Sequence, residues 1–174
     1  MKSFLPITIG SILLFGCSFG GPIREDRKAA AYEFGSPGSG WEELKLADLK
    51  LDEKESAADH IFSARRSGAV LSIGSLCDRY SDSSLESLTK DLINPLRDSE
   101  IENQERLIID GREGLLTHAH GLLDGVTVAM RTFVIRKDDC IFDFTLNARG
   151  EVGRAEATDF ERVFRGFRYR GGSR

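Results

Sequence analysis

Leu85, Leu88, Leu92 and Leu96 recur at steps of three and four residues, which lays one apolar stripe along a helix. Ser83-Ser84-Leu85-Glu86 opens that helix as a capping box, with Ser83 as N-cap and Glu86 reaching back. Pro95 limits its run, since proline has no amide hydrogen to give a helix interior. Phe160, Val163, Phe164 and Phe167 form a second stripe behind Thr158-Asp159-Phe160-Glu161, a second capping box. Gly166 weakens that helix near its end. A stripe this apolar faces a core and is not a cofactor box.

The other periodic segments alternate as strands do. Residues 41–46 form one candidate. Residues 59–64 and 69–77 form a hairpin across Ser67-Gly68, and residues 101–109 and 112–120 flank the turn Asp110-Gly111. The clearest hairpin joins 125–136 to 140–148. Val126, Val128, Met130 and Val134 share one face of its first strand; Phe142, Phe144 and Leu146 share one face of its second. Facing these sets together requires an odd loop, Lys137-Asp138-Asp139, because a one-residue slip inverts the faces. That register sets Arg131 opposite Thr145 and diagonal to Asp143, a structural ion pair. The closing helix should then dock on Val128, Phe142 and Phe144, since both apolar faces must be buried.

An antiparallel meander packed with two main helices is an α+β fold. Its order is a strand pair ending in Ala69-Val70-Leu71-Ser72-Ile73, a helix over 84–94, then strands through Asp110-Gly111-Arg112 and Leu123-Asp124-Gly125-Val126. Cys140-Ile141-Phe142-Asp143-Phe144 and a closing helix with Phe160 and Gly166-Phe167 complete it. Over residues 41–167 this resembles the PsbP/Mog-like α/β/α sandwich, and in particular uncharacterised bacterial lipoproteins of that shape. Members of the fold include photosystem accessory proteins, a small-GTPase-binding import factor and envelope lipoproteins. The resemblance implies protein binding or assembly and no shared catalytic motif.

The N-terminus adds an address. Met1 and Lys2 precede an uncharged, mostly apolar run, residues 4–15, shorter than the ~20 residues a membrane span needs. The run reads as a signal peptide, residues 1–16. It ends in Leu14-Phe15-Gly16-Cys17, which resembles the bacterial lipobox despite the bulky Phe15. That resemblance implies a diacylglyceryl group on the Cys17 thiol, a further acyl chain such as palmitate on its amine, and thus a membrane anchor. Ser18, where an Asp would signal inner-membrane retention, favours the outer membrane facing the periplasm. Residues 17–40 read as lipidated Cys17 and a flexible tether, opened by Gly20-Gly21-Pro22 and closed by 35–40. Within it, residues 24–34 form a short helix or strand. A single domain follows over 41–169, with a frayed tail at 170–174.

The 174 residues carry a net charge of −4, which lacks the basic footprint of a nucleic-acid binder. The three cysteines make an odd number, and with Cys17 lipidated, Cys77 and Cys140 remain. In an oxidising envelope they form a disulfide; the other reading is two separate thiols. His118-Ala119-His120 puts two imidazoles on one strand face, able to share a metal only if a third ligand such as Asp124 or His60 approaches. The expected reading is a solvated strand end and no metal site. No Gly-x-Ser-x-Gly elbow, P-loop or Gly-x-Gly-x-x-Gly phrase occurs, and Ser72, Ser75 and Ser81–Ser84 select no triad. Asp110 and Asp124 read as turn formers. Arg162, Arg165, Arg168 and Arg170 complement a helix C-terminus; the other reading is a docking patch for an acidic partner or lipid headgroups.

The expectation is therefore an envelope lipoprotein, anchored through Cys17, that serves as a non-enzymatic interaction or assembly module for an envelope protein. It has no catalytic residues, cofactor or nucleic-acid partner. The alternatives are a carrier of a small apolar ligand in a sheet–helix cavity and, behind it, an envelope hydrolase. The sequence sets no oligomeric state.

Overall fold

The computed structural model describes residues 31–46, 48–49, 58–77 and 83–171. Their elements, in chain order, are β1 (Ala31–Glu33), β2 (Trp41–Leu44), β3 (His60–Ala64), β4 (Val70–Cys77), α1 (Leu85–Ile93), β5 (Arg97–Ile109), β6 (Arg112–Leu123), β7 (Val126–Lys137), β8 (Cys140–Arg149), α2 (Arg154–Arg165) and β9 (Arg168–Gly171). An antiparallel sheet of seven strands runs β2-β3-β4-β8-β7-β6-β5, and β1 pairs with β9 separately. Two helices and a mostly antiparallel sheet make the fold α+β, as expected.

The sheet buries both faces. On one, Phe133, Ile135, Phe142, Phe144 and Leu146 meet Phe160, Val163 and Phe164 of α2, with Phe167 just beyond it. On the other, α1 covers a smaller cluster of Ile93, Leu96, Ala119, Val128 and Met130. Phe133, Val134 and Ile135 are consecutive and fully buried, as only a strand covered on both faces allows.

That two-sided burial explains the register correction. Lys137 pairs with Cys140 across a loop of Asp138-Asp139, so Phe133 lies opposite Phe144 and Arg131 opposite Leu146. Asp138 takes φ 52, which permits the tighter turn. Val128 therefore faces α1, and α2 docks on Phe133, Phe142 and Phe144. Arg131 and Asp143 project from opposite faces, so the predicted ion pair does not form.

Helix starts also shift. Ser84, one residue after the predicted cap, accepts from the Ser87 amide at 3.1 Å. Thr89 and Ile93 are the buried residues of α1, while Leu85, Leu88 and Leu92 are half-buried. α2 begins a turn before its predicted box: Gly153 is its N-cap, and Thr158 donates to the Arg154 carbonyl inside the helix.

The domain boundaries move outward. Residues 31–40, read as tether, belong to the domain. Tyr32 pairs with Tyr169, the Gly35 amide donates to the Val163 carbonyl at 3.0 Å, and Pro37 is buried. Arg170 and Gly171, read as frayed, lie in β9. The predicted signal peptide, Cys17, Ser18, the tether to residue 30 and the last three residues fall outside the described residues.

Candidate functional site

Cys77 and Cys140 stand directly opposite each other on β4 and β8 and are joined by a disulfide, with Cα atoms 4.0 Å apart. Around that end of the sheet, the Asp110 carboxylate accepts from Lys137 Nζ at 2.5 Å and from the Tyr169 amide at 3.1 Å. The lysine hydrogen bond, more than any other contact, holds the Asp110 pKa below the ordinary carboxylate value. The site is a structural tie between β9 and two turns.

The chemistry-bearing residues gather at the opposite end. There β6 and β7 extend beside the β8–α2 connection, leaving an open cleft of about 550 Å³. His118, His120, Glu102, Arg131, Thr127 and Glu151 supply its polar lining, and Ala129, Met130 and Val152 are among its apolar residues. His118 and His120 are two apart on β6 and so share a sheet face, as the sequence implied. His118 lies opposite Arg131. Glu102 reaches this face from β5, whose pairing with β6 shifts register between Ile101 and Asn103.

The two imidazoles differ. His120 Nδ1 is 3.0 Å from Glu102 Oε1, and its Nε2 is 3.6 Å from Glu100 Oε2. His118 Nε2 is buried without a hydrogen-bond partner among the described residues. Burial, followed by the Arg131 guanidinium, holds the His118 pKa below the ordinary value; Glu102, Glu161 and Glu105 oppose that shift. The neutral imidazole is therefore the favoured form at this position.

Neither expected third metal ligand joins the pair. His60 sits on β3, four strands away at ~4.8 Å per strand, and contacts Glu43 at 2.8 Å. Asp124 takes φ 51 in the β6–β7 turn. No group of three His, Cys, Asp or Glu side chains among the described residues is placed to hold a metal ion. Ser75 donates to Asp59 at 2.5 Å rather than to an imidazole.

The arginine row is spent on local contacts. Arg162 pairs with Asp159 at 2.8 Å, Arg165 with Glu161 at 3.3 Å and Arg170 with Glu33 at 2.7 Å. Arg168 donates to the carbonyls of Arg165 and Phe167 at the end of α2. Sequence reasoning missed Glu102, Arg131 and Glu151 as cleft residues. Only the correct register of β5 through β8 would have grouped them.

No protein-family model matches the chain, and no curated protein sequence does either. Solved structures do match. The solution structure of cyanobacterial PsbP from Synechocystis is 17% identical with a TM-score of 0.52, covering 86% of this chain and 99% of that one. LpqN of Mycobacterium tuberculosis, described as involved in cell envelope biogenesis, is 13% identical with a TM-score of 0.52, covering 82% of this chain and 84% of its own. A crystal structure from Bacteroides thetaiotaomicron is 11% identical with a TM-score of 0.53, covering 80% of this chain and 45% of that chain. At these identities the likeness speaks to fold alone. The fold is PsbP-like.

Proposed function

We infer that this chain is an envelope lipoprotein, anchored through Cys17 to the outer membrane and facing the periplasm, that works as a non-enzymatic interaction or assembly module. The disposition of cysteines carries the reading. Of three cysteines, Cys77 and Cys140 are bonded to each other, a pairing suited to an oxidising compartment. The remaining one, Cys17, stands at the end of an apolar run in a lipobox-like phrase.

The polarity of the domain supports the same reading. The chain enters at β1, which pairs with β9 beside Asp110 and the disulfide end of the sheet. The cleft lies toward the other end, near Thr127 and Gly150. A carrier would require room between sheet and helix. There Phe133 stacks on Phe164 at 4.4 Å, and Phe142 and Phe144 meet Phe167 at 4.8 and 5.8 Å. Side chains fill that space.

Metabolic labelling with a clickable fatty acid tests the anchor. Wild-type protein should take up label and fractionate with outer membrane, and Cys17→Ser should do neither. Equal label on both proteins would overturn the reading. For the module itself, a photo-crosslinking residue at Thr127 should give one discrete protein adduct in cells, dependent on Cys17; a crosslinker at Asp139 should not.

A further inference from the structure

The cleft holds two opposite charges that do not use each other. Among the described residues, neither Arg131 nor Glu151 has an ion-pair or side-chain hydrogen-bond partner, whereas Glu102 is engaged by His120. Arg131 is half-buried in mid-strand on β7, and Glu151 is exposed in the connection after β8. That connection is held in place, since the Gly150 amide donates to the Thr127 carbonyl at 2.9 Å. The charges therefore sit on a strand and on a pinned turn, not on free loops.

Guanidinium presents paired N–H donors that match a carboxylate. A free carboxylate such as that of Glu151 is suited to an ammonium. A simple anion is a poor fit, because Glu102 and Glu151 set two carboxylates against one guanidinium. A simple cation is a poor fit too, because Arg131 lines the same wall. His118, favoured neutral, leaves that balance unchanged. Its Nε2 is a buried nitrogen with no partner among the described residues, and a buried polar atom left unsatisfied is costly.

We propose that this cleft binds a small zwitterion, an amino acid or short peptide with both termini free, its carboxylate on Arg131 and its ammonium on Glu151. The volume of about 550 Å³ lies within the range of small-molecule sites. Ala129 and Val152 offer apolar contact to the ligand's backbone and side chain. This goes beyond the anchored-module reading and stands without it.

Calorimetric titration of the detergent-solubilised full chain tests the assignment, with glycine, triglycine, N-acetyltriglycine and triglycine amide as probes. Saturable binding of glycine or triglycine is expected, and which of the two binds tighter fixes the ligand length. Blocking either terminus should weaken triglycine binding by roughly tenfold to a hundredfold. Arg131→Met should lose a similar factor. No saturable binding by either free probe would overturn the proposal. So would blocked peptides that bind as well as the free one, or a folded Arg131→Met variant that binds unchanged. If that variant does not fold, the comparison of free and blocked peptides on the wild-type chain decides.

Discussion

Gly35 shows how a single residue can carry opposite meanings in sequence and in structure. In the phrase Gly35-Ser36-Pro37-Gly38-Ser39-Gly40 it reads as linker, because glycine, serine and proline recur in flexible chain. In the fold it lies against α2. A Cβ built on Gly35 would stand 2.1 Å from the Arg162 carbonyl oxygen, and one on Gly166 would stand 2.4 Å from the Gly35 nitrogen. Two glycines far apart in sequence thus permit one backbone contact. Gly35→Ala should destabilise the domain by about 1–3 kcal/mol, as overpacking against backbone does. Gly40→Ala, with nothing within 4 Å of its Cβ, should leave the melting temperature nearly unchanged. Equal melting of the two variants would mean that the 31–40 segment is not packed on α2. Composition conceals this role, since nothing local separates a glycine needed for flexibility from one needed for close approach.

Elements were legible where one periodic face decided them. Both helices and six of the seven main-sheet strands follow from period and turn chemistry; Asp110-Gly111 and Asp124-Gly125 fall where positive φ is required. For the seventh, β5, the pattern predicts a start at Ile101 where the strand begins at Arg97, because its first residues are polar and exposed. The β7–β8 register is not legible in the pattern because both strands are apolar on both faces, so burial of Phe142 and Phe144 is satisfied by either pairing. The cleft inherits that difficulty, as its residues meet only in the true register. The α1 cap lies one residue beyond the predicted one: Ser83 opens the Ser-x-x-Glu phrase, but Ser84 is equally an N-cap residue type. The geometry selects between them. Ser84→Ala should cost about 1 kcal/mol in denaturant unfolding, and Ser83→Ala only a few tenths. A larger loss from Ser83→Ala would restore the cap to the earlier serine.

At the scale of the molecule, the sheet is two meanders joined at one seam. β2, β3 and β4 form one; β8, β7, β6 and β5 form the other, and β4 pairing with β8 is the junction. The chain between the seam's partners holds α1 and the whole β5–β7 run, so the junction closes late in sequence terms. Cys77–Cys140 spans it with a sequence separation of 63, at the last residue pair of the β4–β8 register. A loop of that length, once closed, loses enough unfolded-state entropy to add about 4 kcal/mol of stability in the chain-entropy model. Against a whole-domain stability of ~5–15 kcal/mol, that is a large share. Protein isolated from the envelope and alkylated before reduction should show no label at Cys77 or Cys140 by intact mass, and both should label after reduction. Its reduced form should unfold at markedly lower denaturant than the oxidised form. If both cysteines alkylate freely in the native protein, the seam is held by strand pairing alone. The inference of an oxidising compartment would then rest only on the residues before Cys17.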